Sequence, residues 1–144
     1  MKYQIISERE FKNNVNIRRP DEVYALVKRY AEMKQEQFIL LTLNSIRDVI
    51  SVSYVSIGNI NTTIVHPREV FCKAISDRAS QIIICHNHPS GSLKLSKEDR
   101  ALTRVIYKAG KIIQIPLIDH IIFTKTAFIS LHKEGKFPKE KGRL

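Results

Sequence analysis

The chain has 144 residues, a length that suits one domain on the usual scale of about 100 to 200 residues each. With 43% hydrophobic and 26% charged residues and only five Gly and five Pro, it is neither low-complexity nor disordered, and it can bury one sizeable core. Lys plus Arg number 24 against 14 Asp plus Glu, a formal charge of +10 that attracts phosphate backbones, anionic lipid or acidic proteins without choosing among them. Two cysteines, Cys72 and Cys85, make a poor disulfide framework, and the first ten residues hold no apolar core of signal-peptide length. A reducing cytoplasm is the expected compartment. The longest apolar runs are strand-sized, well short of the roughly eighteen residues of a membrane span, so a soluble protein with no membrane partner is expected.

Arg19-Pro20-Asp21 opens a segment in which Val23, Leu26, Val27, Tyr30 and Met33 recur at helical spacing, and a helix is predicted there. A polar stretch from Lys34 to Gln37 ends it. Phe38 to Leu43 is an apolar run of strand length, and Asn44 to Asp48 reads as a turn into Val49 to Ile57, which predicts a hairpin. A second turn at 58–61 and a short strand from Thr62 to Val65 follow. Pro67 starts a helix with Val70, Phe71, Ala74 and Ile75 on its apolar face. Ile82 to Cys85 predicts a buried central strand, with His86 and His88 at its C-terminal end. Ser96 to Ala109 is the strongest helix signal. Ser96 is a natural N-cap with Asp99 three residues on, Leu102, Val105, Ile106 and Ala109 line one face, and Gly110 stands as the stop. Ile112 to Ile118, His120 to Thr124 and Phe128 to Leu131 read as strands, and the basic tail from Lys133 as frayed. This order predicts an α/β fold: a mixed sheet with helices packed on it.

The chemistry concentrates in residues 86–99. Residues two apart in an extended chain share a side, so the imidazoles of His86 and His88 can converge on one ion. Asp99, in the first turn of the next helix, can fold back to them across Pro89-Ser90-Gly91. Two neutral imidazoles and one carboxylate form a catalytic zinc set, with a fourth position open for water whose pKa the metal lowers toward about 7. Ser96 and Asp99 also have the spacing of a capping box, so Ser96 is expected both to cap the helix and to face the site.

The spacing His-x-His, seven residues, Ser, two residues, Asp resembles that of the JAMM (also MPN+ or JAB) metallopeptidases. His66-Pro-Arg-Glu-Val-Phe71, His86-Asn-His-Pro-Ser-Gly91 and Asp119-His-Ile-Ile122 are similar to the RadC branch of that superfamily. The resemblance implies a cytidine-deaminase-like JAB/MPN fold over residues 20–135, between an N-terminal extension at 1–19 and a basic tail at 136–144. It also implies one zinc ion per chain and hydrolysis of a peptide or isopeptide bond. His86, His88 and Asp99 would ligate zinc, Ser96 would hydrogen-bond the developing oxyanion, and Glu36 would be the general base, with Glu69 the next candidate. Two departures bear on the substrate. Position 87 is Asn, where deubiquitinating members favour Ser or Thr, and the residues before Pro20 are too few for the helix-hairpin-helix region of full-length RadC-type proteins. A DNA-repair role therefore gains no support from the chain.

Cys85 alternates away from His86 and, like Cys72, reads as a small apolar packing residue. His66, His120 and His132 read as structural or exposed, with Asp119 and His120 as outer partners of the site at most. Lys97, Arg100, Arg104 and Lys108 form a one-signed stripe on the face opposite Leu102 and Ile106, ordinarily a solvated face. Together with the basic tail it keeps a rival in view: a nucleic-acid-associated module or metal-dependent nuclease touching nucleic acid through these four residues. The His-x-Glu and Pro-Cys-x-x-Cys signature of nucleotide deaminases is absent.

Overall fold

A computed structural model describes residues 4–10, 15–29, 34–56 and 65–139. In chain order these form β1 (Gln4–Glu10), α1 (Pro20–Lys28), β2 (Gln37–Leu43), β3 (Val49–Ser56), α2 (Pro67–Ser76), β4 (Gln81–Asn87), α3 (Lys97–Ile113), β5 (Leu117–Phe123) and β6 (Phe128–Ser130). The strands make one six-stranded sheet in the order β1-β3-β2-β4-β5-β6. Only β4 and β5 run parallel, joined by the crossover helix α3, so the sheet is mixed. This is the α/β architecture the element order predicts. β1, which the sequence reading placed in an extension, adds an edge strand antiparallel to β3. The strand predicted from Thr62 lies outside the described residues.

Alternation along the strands sorts the core into two faces. Ile39, Leu41, Leu43, Ile83, Cys85 and Ile121 pack under Val23, Leu26 and Val27 of α1. Phe38, Leu40, Ile82 and Ile84 pack under α2 and α3 through Val70, Phe71, Ala74 and Ile106. Both faces of β2 are covered, which is why its sequence is almost continuously apolar. The even-numbered residues of β4 thus look toward α3, and Cys85 is buried on the α1 side, opposite His86. Cys72, by contrast, is exposed on α2 rather than packed.

The structure corrects three helix readings. α3 does not stop at Gly110 but runs to Ile113, ending on Gln114 in the left-handed conformation at φ 67°. The predicted strand at 112–118 therefore starts only at Leu117, and β5 continues unbroken through Asp119 and His120. The buried stripe of α3 is Asp99, Thr103, Ile106 and Gly110, while Val105 is 48% exposed, because the polar members of the stripe face the site rather than solvent. Ile75, placed by spacing on the inner face of α2, is also exposed. Within the described part of the tail, residues 133–139, the chain is less frayed than its charge suggests. Phe137 packs edge-on against Tyr107 with ring centroids 5.4 Å apart.

A carboxylate outside the site ties α2 to the sheet. Asp77 Oδ2 accepts hydrogen bonds from Thr42 and Ser51, each at 2.6 Å, and Oδ1 accepts from Lys73 at 2.9 Å. Burial pushes this carboxyl up, but the three donors outweigh it and hold the group below its ordinary pKa of 3.8. Asp77→Ala leaves the two fully buried hydroxyls with only each other, 3.0 Å apart, and is expected to cost about 2–3 kcal/mol in urea unfolding. Because the folded pKa is depressed, the charged group's contribution is present above the unfolded value near 3.8 and is lost as pH falls through the folded one. The gap between wild type and Asp77→Asn should accordingly narrow below about pH 4.

Candidate metal centre

His86 occupies the end of a central strand, opposite Phe38 on β2 and Ile122 on β5. Its neighbour His88 lies just past β4, yet its N–H still bonds the carbonyl of Phe123 at 2.9 Å, which extends the parallel ladder and keeps both imidazoles on the α3 side. The rings sit 5.0 Å apart, nearly perpendicular. The chain then turns through Gly91, at φ 86°, into α3.

The capping box at the start of α3 aims the carboxylate. Ser96 Oγ accepts from the Asp99 N–H and Asp99 Oδ2 accepts from the Ser96 N–H, both at 3.0 Å. That fold-back leaves Asp99 Oδ1 2.9 Å from His86 Nδ1 and Oδ2 3.3 Å from His88 Nε2. Asp99 is 3% exposed. Glu36, immediately before β2, brings Oε1 to 2.7 Å from His86 Nε2. Glu69, the other candidate base, pairs instead with Arg68 on the partly exposed first turn of α2.

Charge and tautomer define what the cluster accepts. His88 Nδ1 lies 2.8 Å from the carbonyl of Ser92, which can only accept, so Nδ1 carries a proton and Nε2 is the nitrogen left to face the cluster. Nε2 itself lies 3.3 Å from Asp99 Oδ2, so an imidazole nitrogen and a carboxylate oxygen stand side by side as candidate ligand atoms. Burial lowers the pKa of His86, but hydrogen bonds and charge from Asp99 and Glu36 outweigh it and raise the pKa to about 9. Burial likewise opposes ionisation of Asp99, and its bonds to His86 and His88 prevail, holding it well below the carboxylate range. One ligand atom each from Glu36, His86 and His88 lies within 4.8 Å of the others, so this group can hold a metal ion, with Asp99 against both imidazoles.

Two contributors, Asn87 and Thr103, are not legible as such in the sequence, and a third, His120, reads there at most as an outer partner. Asn87 is fully buried, where its Oδ1 accepts from the Gln37 N–H at 2.5 Å and its Nδ2 donates to the Gln35 carbonyl at 2.9 Å. It brackets the backbone that carries Glu36, although the sequence marked it only as a departure between two histidines. Thr103 donates to the carbonyl of Asp99 at 2.7 Å and lies 2.6 Å from Nδ1 of the fully buried His120. His120 thus supports the helix turn that bears Asp99 from behind. Burial first, then the positive charge of His86, lowers the His120 pKa to about 3, which keeps it neutral. The signal was present in the Asp99-to-Thr103 helical spacing and in a polar pair interrupting an apolar strand. Lys97, Arg100, Arg104 and Lys108 are all exposed on α3.

The domain is thus a mixed-sheet α/β unit that carries, at the end of its parallel strand pair, an imidazole–carboxylate cluster able to hold a metal ion. Residues 17–136 match the RadC-like JAB domain, and the chain belongs to that family. It is 43% identical over 126 residues to a protein of Methanospirillum hungatei named UPF0758 protein, an overlap that covers 86% of this chain and 56% of the relative. A protein of the same name from Clostridium tetani is 44% identical over 129 residues, 88% of this chain and 57% of the relative. The chain thus spans a little over half the length of these relatives. No helix among the described residues is long and apolar enough to cross a membrane.

Proposed function

We propose that this domain is a zinc-dependent hydrolase of peptide or isopeptide bonds, with His86, His88 and Asp99 as ligands, Glu36 as general base and Ser96 as oxyanion donor. The observation that carries this reading is the convergence of His86 Nε2 and His88 Nε2 with the carboxylates of Glu36 and Asp99 at one point. Two imidazole nitrogens and carboxylate oxygen are the donor types zinc takes, and the set fits. One such cluster among the described residues corresponds to one ion per chain.

The two carboxylates divide by how they are anchored. Asp99 is pinned through both oxygens by the capping box and the two imidazoles, which suits a ligand. Glu36 pairs with His86 and stands on the segment entering β2, which suits a group that must take up and release a proton. Zinc, when bound, supplies Lewis-acid polarisation and a lowered water pKa. Glu36 takes the proton from the attacking water and delivers it to the leaving amine. Ser96 Oγ already accepts the Asp99 N–H through a lone pair, so its own proton remains for the oxyanion.

The test is elemental analysis followed by a cleavage screen on peptide and isopeptide linkages. Wild type should carry one zinc per chain and His88→Ala none. Full zinc occupancy in His88→Ala overturns the ligand assignment, and a zinc-loaded protein that cleaves no amide linkage overturns the hydrolase.

A further inference from the structure

We propose that the cleft beside His88 is a subsite for a carboxylate of the substrate, with Lys125 as its recognition residue; this rests on the hydrolase reading above. The cleft, of about 380 Å³, opens directly from His88. One wall is Pro89 and Gly91 of the loop between β4 and α3, and the other is the turn from Thr124 to Thr126 between β5 and β6. Its volume lies at the small end of ligand pockets, enough for a short chain segment. Whatever fills it lies next to the bond positioned over His86 and His88.

The lining fixes the sign of that segment. Among the described residues, the formally charged side chains that line it are two lysines, Lys34 and Lys125. The nearby acids, Asp99 and Glu36, are turned to the imidazoles and would be offset by a bound divalent ion. Lys125, exposed on its turn, brings positive charge to the cleft on a chain whose formal charge is already +10.

The walls are also built in advance. Thr124 Oγ1 accepts from the N–H of Ala127 at 3.1 Å, and the Thr124 N–H donates to the Ala127 carbonyl at 2.8 Å, which closes the turn that carries Lys125. Tyr24 of α1 braces that turn, donating to the Thr124 carbonyl at 3.0 Å while its ring stacks on Phe128 at 4.8 Å. On the other wall the Gly91 N–H bonds the His88 carbonyl at 3.1 Å. A cleft held this way loses little ordering entropy on binding. The matching ligand is a polypeptide segment with a carboxylate next to the scissile linkage, from an Asp or Glu side chain or from a free C-terminus.

Fluorescence anisotropy on zinc-loaded Glu36→Gln protein reads binding independently of turnover. The probes are labelled hexapeptides that differ only in Glu against Gln at one flanking position, each made with a free or an amidated C-terminus. The acidic probes should bind about tenfold tighter, Lys125→Glu should remove that preference, and Lys125→Arg should keep it. Preference for Glu over Gln assigns the side chain, and preference for acid over amide assigns the terminus. Equal binding of all four probes, or an unchanged preference in Lys125→Glu, overturns the subsite even where wild type cleaves peptides. Tighter binding of a single-stranded oligonucleotide that depends on Lys125 also overturns it, in favour of a phosphate ligand. Failure of the hydrolase reading shows separately, as zinc-loaded wild type that binds the acidic probe through Lys125 and cleaves none.

Discussion

Glu36→Gln is expected to keep one zinc per chain and to lower turnover by about 10²- to 10⁴-fold, the range that a positioned general base contributes. The substitution preserves shape and leaves the bracket from Asn87 to Gln35 and Gln37 in place, so only basicity is lost. The metal content is the decisive half of the experiment. Glu36 lies close enough to His86 and His88 to serve as a ligand itself, and a zinc-depleted Glu36→Gln protein would show that it does. Asn87→Ala provides the companion result. Without those hydrogen bonds the entry to β2 is less firmly set against β4, so turnover should fall while zinc stays bound if His86, His88 and Asp99 are its ligands, as proposed.

The central part of this arrangement was legible in the sequence for a simple reason. His86, His88, Ser96 and Asp99 lie within fourteen residues on one strand-loop-helix unit, where the period of two along a strand and the geometry of a capping box decide which side chains meet. The alternation that buried Cys85 away from His86 follows from the same period. Glu36 was harder because its place depends on β2 pairing with β4 in the register that sets Phe38 opposite His86, a contact across about fifty residues with no local signature. Asn87 and His120 act through such long-range contacts too; the sequence marks Asn87 only as a departure and His120 at most as an outer partner of the site. The edge strand β1 has few apolar residues, and its pairing comes from β3 rather than from its own pattern. Where the reading failed inside a helix, the fault lay in treating an amphipathic stripe as purely apolar. α3 buries Asp99 and Thr103 because the site itself satisfies them.

Gly110 was read as a stop signal, and its true role leads to an opposite prediction. In an open helix Gly→Ala stabilises by about 1 kcal/mol. Here a Cβ at position 110 would stand 2.7 Å from the carbonyl oxygen of Ile115, 3.2 Å from the amide nitrogen of Leu117 and 3.3 Å from the Phe71 ring. Two of those atoms are backbone, and the chain entering β5 cannot withdraw from them without disturbing its parallel pairing with β4. Gly110→Ala is therefore expected to destabilise by about 2–3 kcal/mol despite the gain in helix propensity, a fall of roughly 5–10 °C in Tm. A raised Tm would show that the close approach between α3 and β5 is not a constraint. The effect should extend to the metal centre, because Gly110 and Asp99 share the buried stripe of one helix and lie about 16 Å apart along it. A helix pushed off the sheet at Gly110 draws Asp99 away from His86 and His88, so zinc affinity measured by competition with a chromophoric chelator should weaken along with the Tm, whereas Asp77→Ala should lower stability with affinity unchanged.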